Sequence, residues 1–304
     1  MSNNPLVSVL VNNYNYGQYL EDCILSVLNQ TYRNFELIVY DDQSTDNSVE
    51  ICKKYSNNIT LLEGKGQKYK ANAFNQANAI FEAFKTSKGE IICLLDSDDM
   101  FRTNKLAEVV YAFKDTSDLV LVQDQMLVLS NDSSENNKLK AKIFKKDNLL
   151  NYIYKTNNIL GLYSQTSGLS FRRNYLEKVL PIKEDEYYLI WPDVRLTRQS
   201  VFYGSIFTFT SPLTFYRKHD ENDSNKLVNT SFSRSVLEQM YNYYNDKAIE
   251  NGYKTIDLKK SIHRFDKNKY ELFIYKLFSK ENLSWKASYI KTIIMKLIVK
   301  YLIK

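Results

Sequence analysis

The first 125 residues alternate between short apolar runs typical of β-strands and amphipathic segments typical of α-helices. Strands are predicted over 6–12, 35–41, 59–63 and 89–96, and helices over 18–30, 44–55, 70–87 and from 103 onwards. Such alternation predicts an α/β fold with a doubly wound, mostly parallel sheet and helices on both faces. From 119 to about 225 strand-like runs flank a short helix around 173–180. Beyond about 231 a lysine-rich helical extension is predicted.

Polar side chains follow three of the predicted strands at the point where each strand ends. The first strand closes in "NNYN", the second in "DDQSTD" and the fourth in "DSDD". In doubly wound sheets ligands bind at the carboxyl ends of the strands, near the point where the strand order reverses. The three strand ends therefore predict one polar ligand site.

The fourth strand ends in three carboxylates within four positions, Asp96, Asp98 and Asp99. Because like charges this close repel one another, a positive partner is expected beside them. Two acids separated by one residue suit Mg²⁺ or Mn²⁺, which take few protein ligands and fill their shells with phosphate oxygens and water. The alternative is a solvated acidic cap for the helix that starts near residue 103.

Composition narrows the possible classes of protein. With 8 glycines in 304 residues, a Gly-rich phosphate loop is not expected. Three cysteines, Cys23, Cys52 and Cys93, fall at apolar positions and are interpreted as buried small hydrophobic residues in a reducing compartment. The amino terminus lacks the features of a signal peptide, and no apolar run is long enough to span a membrane, so a cytoplasmic location is predicted.

Two longer stretches together resemble a known family. They are "VSVLVNNYNYGQYLEDCILSVLNQTYRNFELIVYDDQSTDNS" and, downstream, "GEIICLLDSDDMFRTNKL". In order and spacing they resemble the nucleotide-sugar half of inverting family-2 glycosyltransferases of the GT-A fold, many of them bacterial enzymes of glycan biosynthesis. The resemblance is dense over 5–113 and looser to about 225. It implies a catalytic domain over 1–225, with a nucleotide-sugar half (1–113) and an acceptor half (114–225), followed by a helical region over 226–304.

The resemblance also implies roles for residues of the nucleotide-sugar half. Asn12 and Tyr14 would line the base, and Asp42 would accept a hydrogen bond from the pyrimidine edge, while Asp41 caps the next helix and holds the loop. Asp98 would bind Mn²⁺ or Mg²⁺ directly, and Asp96 would reach the ribose or the metal. Two roles remain open for Asp99: it would either support the ligand-binding acids beside it or cap the helix that follows. Lys70, or Lys68 beside it, would face the phosphates.

In the acceptor half an inverting transfer needs a general base, and Asp193 matches the family's Asp, although Pro192 stands where the family usually has Glu. The alternative for Asp193 is a cap for a helix that begins at Val194. Ser167, in "TSGLSFRR", would lie on the acceptor or phosphate side. Arg217 and His219, in "FYRKHDENDS", would approach the diphosphate or the metal. The acids at 184–186 are interpreted as a solvated loop, and His263 as structural.

Together these expectations predict a metal-dependent inverting glycosyltransferase. It would move a sugar from a nucleotide diphosphate donor to a glycan or lipid-linked glycan, and the expected donor is a UDP-sugar. The alternative is a protein that binds nucleotide-sugars or glycans without transferring them. No Q-x-x-R-W motif is present in the sequence, which favours single additions over processive synthesis. No nucleic-acid partner is expected, and a homo-oligomer is possible.

The last 19 residues, 286–304, contain five lysines and no acidic residue. Isoleucines and leucines recur there at helical spacing, with Lys296, Lys300 and Lys304 on another face. Such a helix can lie on an anionic bilayer, which would place the protein on the inner face of the cell membrane. The alternative is a helix docked on the catalytic domain or in a dimer interface.

Overall fold

The computed structural model describes residues 2, 4–65, 69, 71–114, 116–129, 142–144, 146–209, 211–219 and 234–260. Residues 1–258 form one compact unit and residues 259–304 a second. Within the described part of the chain, no helix has the length and apolar character needed to cross a membrane.

The first half alternates strands and helices as predicted. Its elements are β1 (Val7–Asn13), α1 (Gly17–Leu28), β2 (Phe35–Asp41), α2 (Ser48–Lys54), β3 (Thr60–Glu63), α3 (Asn72–Thr86), β4 (Ile91–Asp96), β5 (Met100–Phe101) and α4 (Lys105–Lys114). The second half contains β6 (Leu119–Gln123), β7 (Met126–Leu129), β8 (Lys142–Phe144), α5 (Lys146–Thr156), β9 (Leu169–Arg172), α6 (Arg173–Val179), α7 (Pro192–Ser200), β10 (Ser205–Thr208), β11 (Thr214–Arg217) and α8 (Arg234–Glu250).

The main sheet has eight described strands in the order β3-β2-β1-β4-β9-β6-β10-β8. The strands β3, β2, β1 and β4 are mutually parallel, so the predicted parallel sheet is confirmed for the first half. Strand order reverses between β1 and β4, because the chain first builds outwards through β2 and β3 and then returns to the other side of β1. In the second half β9 runs antiparallel to both β4 and β6, which makes the whole sheet mixed.

Apolar residues on both faces of the central strands explain why helices cover both sides of the sheet. All six residues of β4 except the last are buried, as expected of a strand with two covered faces. Helices α1 and α4 present Leu20, Ile24, Leu106 and Val109 to one core cluster together with β1, β2 and β4. The three cysteines are free and buried, and all three lie in the same core, which confirms their interpretation as small hydrophobic residues.

Helix α8 packs on the acceptor half rather than standing apart from it. Met240 and Tyr243 on this helix cluster with Ile190, which precedes α7. The compact unit extends to Leu258. The predicted boundary near 225 and the division of 1–225 into two functional halves stay predictions.

Candidate active site

The carboxyl ends of β2, β1 and β4 lie side by side and bring the predicted polar clusters together. In the sheet register Asn13 of β1 stands opposite Asp41 of β2, and Asn12 stands opposite Asp96 of β4. This edge lies at the point where strand order reverses, which is where ligands bind in sheets of this kind. The structure therefore brings these polar residues together, and their role as one ligand site stays a prediction.

Asp41 fixes the loop that follows β2 by bonding to its neighbours on both sides. Its carboxylate accepts hydrogen bonds from Asn13 Nδ2 (2.7 Å) and from the Ser44 backbone N–H (2.8 Å). Helix α2 begins only at Ser48, and its first backbone N–H donates to Asp46 (3.0 Å), so the prediction that Asp41 caps this helix is wrong. Asp41 holds the loop, as also predicted.

Asp42 and Tyr14 stand at the outer part of this edge. Asp42 is half-buried. A Cβ added to Gly64, the residue after β3, would lie 3.0 Å from Asp42 Oδ1, so the end of β3 packs closely against one side of this acid. The Tyr14 side chain is 47% exposed at the end of β1. Both residues are accessible to a ligand, and their contacts with a base stay predictions.

Ser167 and Asp99 brace the acidic turn after β4. The Ser167 hydroxyl accepts a hydrogen bond from the Asp96 backbone N–H (3.0 Å) and donates one to Asp99 Oδ2 (2.6 Å). Asp99 Oδ1 accepts a further bond from the Arg217 backbone N–H (2.9 Å). Both side chains are buried, and burial followed by the charges of Asp98 and Asp96 raises the pKa of Asp99 well above its usual value. Ser167 is thus a structural part of the turn, and its contact with acceptor or phosphate stays a prediction.

The positive partner expected beside the acids is Arg217 of β11, and His219 lies just after the same strand. Arg217 Nε donates to the backbone carbonyl of Asp98 (3.1 Å), and its Nη2 pairs with Asp22 of α1 (2.9 Å). His219 Nε2 lies 3.0 Å from Asp98 Oδ2, and its ring packs against those of Tyr16 and Tyr19. Asp98 is buried, which excludes the alternative of a solvated acidic cap.

Asp98 and His219 offer a carboxylate oxygen, the donor that suits Mn²⁺ or Mg²⁺, beside an imidazole nitrogen, a donor that suits transition metals. Among the described residues there is no group of three or more His, Cys, Asp or Glu side chains that could hold an ion by itself. A cation here would therefore complete its shell with substrate oxygens and water, as these ions do at phosphate sites. The residues present fit such a cation.

Asp96 lies beside this pair but is held by neutral amides. Its Oδ1 accepts hydrogen bonds from Asn12 Nδ2 (2.9 Å) and Gln76 Nε2 (3.0 Å). Burial, then the charge of Asp98 and after it that of Asp193 raise the pKa of Asp96 to about 7, against the lowering effects of the bonds from Asn12 and Gln76. A positively charged or hydrogen-bond-donating ligand would therefore stabilise the ionised form of this carboxyl.

Asp193 lies in the first turn of α7, close enough to Asp96 for its charge to raise the pKa of that carboxyl. The helix begins at Pro192 with Trp191 as its N-cap, earlier than the predicted start at Val194, but the Asp193 carboxylate does accept a hydrogen bond from the Val194 backbone N–H, as a capping acid would. Burial raises the pKa of Asp193, while the buried Arg198 guanidinium and the Val194 backbone N–H lower it. A partly buried carboxylate with a raised pKa is suited to general-base work.

An ion pair between the buried Arg195 and the partly exposed Asp185 fixes the segment that leads into α7. Arg195 is buried and binds both oxygens of Asp185, at 2.8 Å and 2.7 Å, and also donates to the Tyr187 carbonyl (2.5 Å). The interpretation of 184–186 as a solvated loop is therefore wrong for Asp185. Its pairing with a residue ten positions later carries no local sequence signal.

Sequence reasoning also missed Gln76, Asp22 and Arg198, whose roles depend on the packing of distant elements. Lys68, Lys70, His263 and the segment 286–304 lie outside the described residues. Their predicted roles stay predictions.

Comparison with known proteins decides the family. Residues 8–180, more than half of the chain, match the family described as Glycosyl transferase family 2. The chain belongs to this family. The uncharacterized glycosyltransferase alr2836 of Nostoc sp. is 31% identical over 276 residues, which cover 87% of this chain and 82% of the relative. This chain is accordingly a glycosyltransferase.

A second relative and two solved structures extend the comparison. The Escherichia coli protein UDP-Glc:alpha-D-GlcNAc-diphosphoundecaprenol beta-1,3-glucosyltransferase WfgD is 39% identical over 102 residues, 33% of this chain and 38% of WfgD. S. aureus TarS 1-349 in complex with UDP-GlcNAc has a TM-score of 0.58 at 18% identity, over 78% of this chain and 65% of that one. Mannosyltransferase PcManGT from Pyrobaculum calidifontis in complex with GDP-Man and Mn²⁺ has a TM-score of 0.52 at 17% identity, over 82% of this chain and 65% of that one.

The two solved structures share the fold with this glycosyltransferase, as the predicted GT-A-like α/β class requires. The chain spans less than two thirds of the length of both, and of WfgD.

Proposed function

We propose that this glycosyltransferase moves a sugar from a UDP-sugar to a hydroxyl of a glycan or lipid-linked glycan, with a divalent cation and with inversion at the anomeric carbon. The observation that carries the proposal is the meeting of three strand ends and one helix end. Asp98 and His219 lie in contact and would bind the cation, Asp96 is in the same turn, and Asp193 is close enough to Asp96 for its charge to raise the pKa of that acid.

The side chains at the end of β2 favour a nucleotide with a pyrimidine base. Asp42 is a half-buried carboxylate, and as an acceptor it can bind the imide N–H of uracil. Asn12 and Tyr14 would line the same base from the end of β1. The name of WfgD includes UDP-Glc, and TarS was solved with UDP-GlcNAc, which supports UDP as the carrier.

Asp98 and His219 would hold Mn²⁺ or Mg²⁺. When bound, the cation would supply positive charge against the diphosphate that leaves the sugar. Arg217 would add to that field from the other side of Asp98, since its guanidinium already lies against the backbone of this turn. PcManGT, with the same fold, was solved with Mn²⁺, which supports this type of cation.

Asp193 would act as the general base. The acceptor oxygen attacks the anomeric carbon, the bond from that carbon to the diphosphate breaks with its electron pair on the leaving oxygen, and the hydroxyl proton passes to the Asp193 carboxylate. Burial raises the pKa of Asp193 and so strengthens it as a base, whereas Arg198 and the amino end of α7 keep it ionised. These opposing effects suit a base that works near neutral pH.

The acceptor class is inferred from relatives and from the carboxyl-terminal segment. WfgD is named for transfer to a GlcNAc-diphosphoundecaprenol, an acceptor with a lipid tail. The basic, apolar pattern of 286–304 would suit a protein that works at an anionic membrane surface, where such acceptors reside. We therefore propose peripheral association with the membrane as part of the function.

The test is UDP release by the purified protein from a panel of UDP-sugars, with and without Mn²⁺ and with p-nitrophenyl α-N-acetylglucosaminide as a soluble acceptor probe. We expect release that requires Mn²⁺ and increases when the acceptor is added, with a disaccharide product of inverted configuration by NMR. Release from GDP- or dTDP-sugars alone would contradict the UDP assignment, and full activity in EDTA would contradict the cation.

A further inference from the structure

Two amide side chains hold one oxygen of Asp96 from two different elements. Asn12 Nδ2, at the end of β1, and Gln76 Nε2, on α3, both donate to Asp96 Oδ1, at 2.9 Å and 3.0 Å. The backbone N–H of Asp96 is bound in turn to Ser167 Oγ at 3.0 Å. These contacts fix both the backbone and the carboxyl plane of Asp96.

The second oxygen of this carboxylate is available. Within the described ranges, Asp96 Oδ2 accepts no hydrogen bond, and the residue is only partly buried. Oδ1 is different, because two donors already occupy its lone pairs. A ligand that binds at this edge of the sheet therefore meets Oδ2.

Asn12 presents another acceptor at the same place. Because a carboxylate can only accept hydrogen bonds, Asn12 must turn its NH₂ group towards Asp96, and this fixes its amide oxygen on the other side. Asn12 Oδ1 is buried and has no hydrogen-bond partner among the described residues. A buried acceptor without a donor is costly, so it favours a ligand that brings one.

Two acceptor oxygens, Asn12 Oδ1 and Asp96 Oδ2, thus lie at the carboxyl ends of two adjacent strands. Asn12 and Asp96 stand opposite each other in the register of β1 and β4. The ligand chemistry that matches two neighbouring acceptors is a pair of adjacent hydroxyl donors. Such a pair occurs in the ribose of a nucleotide and in the transferred sugar.

We propose that Gln76 is a positioning residue that, together with Asn12, turns Asp96 into an acceptor for a vicinal diol of the donor, separate from the cation pair Asp98 and His219. Gln76 acts through Asp96 and touches no reacting atom. The inference rests on the proposed function, because it assumes that a nucleotide-sugar binds at this edge.

The test substitutes Gln76 by Met, which keeps the length of the side chain and removes the donor. Calorimetry with UDP, 2′-deoxy-UDP and UDP-glucose, each with Mn²⁺, measures binding of the diol. A separate titration with Mn²⁺ alone measures the cation pair. The control is Asn78→Leu on the same helix, which removes an amide that donates to the Tyr40 hydroxyl (3.3 Å) rather than to Asp96.

For Gln76→Met we expect binding of UDP or UDP-glucose to weaken about tenfold, the size of one hydrogen bond to a charged group. The affinity for Mn²⁺ and the melting temperature should match those of the wild type, and Asn78→Leu should bind UDP normally. If the diol is that of the ribose, the loss appears with UDP and is absent with 2′-deoxy-UDP. If it is that of the sugar, the loss appears with UDP-glucose alone.

Equal binding of UDP and UDP-glucose by Gln76→Met and wild type would overturn the inference, and so would a parallel loss of Mn²⁺ affinity. Failure of the proposed function looks different. In that case the wild-type protein binds no uridine nucleotide, or binds one and releases no UDP with acceptor present. Absent binding by the wild type would overturn the inference as well.

Discussion

Asp193 accepts the acceptor's proton in the proposed reaction. Its substitution should therefore lower the rate of transfer without changing the affinity for the donor. Asp193→Asn keeps the size of the side chain and removes the base, and we expect transfer to fall about 10²–10⁴-fold while the Kd for UDP-sugar changes little. Glu177→Gln, on the exposed face of α6, is the matched control. Undiminished transfer by Asp193→Asn would move the base elsewhere.

The same residue predicts the pH dependence. The base must be ionised to work, so kcat/KM should rise with pH through the pKa of Asp193 in the free enzyme. Because burial raises that pKa above the ordinary Asp value of about 4, the acid limb should lie above pH 4. The measured midpoint checks the direction of the shift, and a limb at or below pH 4 would contradict it.

Asp98 is the residue at which the proposed cation site can be tested directly. Asp98→Ala removes the carboxylate of the cation pair, and we expect UDP release to lose its response to Mn²⁺ and to fall at least about 10²-fold, since the charge of the leaving diphosphate is no longer offset. Circular dichroism and a melting curve check that the fold persists. Asp147→Ala, an exposed acid on α5, should behave as wild type.

At the scale of elements, a buried ion pair under the acidic turn joins three segments that are far apart in sequence. Lys105, in the first turn of α4, pairs with Asp124 after β6, and both side chains are fully buried. Lys105 also donates to Thr214 Oγ1 of β11 (3.1 Å), and Asp124 accepts the backbone N–H of Leu213 (3.0 Å). The pair thereby positions β11, whose continuation supplies Arg217 and His219.

Asp124→Ala should therefore destabilise the protein strongly, because it leaves the Lys105 charge buried without its partner. We expect a loss of about 3–5 kcal/mol in the free energy of unfolding, measured by urea denaturation. The double variant Lys105→Met, Asp124→Leu should recover most of that loss. A double variant no more stable than Asp124→Ala would show that the hydrogen bonds, rather than the unpaired charge, dominate.

This pair also illustrates what the sequence could and could not predict about the elements. The strands and helices of the first half were predicted within a few residues, because local apolar periodicity determines them. The pairing of Lys105 with Asp124 has no local sequence signal, since the two residues are brought together only by the fold. The antiparallel insertion of β9 between β4 and β6 was missed for the same reason, and so were the bonds of Gln76 to Asp96 and of Arg195 to Asp185.

At the scale of the whole molecule, all described site residues belong to the unit that ends at Leu258. The segment 286–304 carries five lysines and no acid, and each lysine near an anionic surface contributes about 1 kcal/mol to binding. Deleting it should therefore abolish sedimentation with vesicles that contain phosphatidylglycerol. UDP release with a soluble acceptor should be unaffected, because the catalytic groups lie elsewhere.

A charge variant separates the two explanations of this segment. Replacing Lys296, Lys300 and Lys304 by Gln keeps the apolar face and removes about 3 kcal/mol of attraction to the surface, roughly a 10²-fold loss of vesicle affinity. The difference in vesicle affinity between wild type and variant should shrink at high salt, because salt screens the attraction between the wild-type lysines and the anionic surface. Equal vesicle binding by variant and wild type, together with a lower melting temperature of the deletion, would instead indicate a helix docked on the protein.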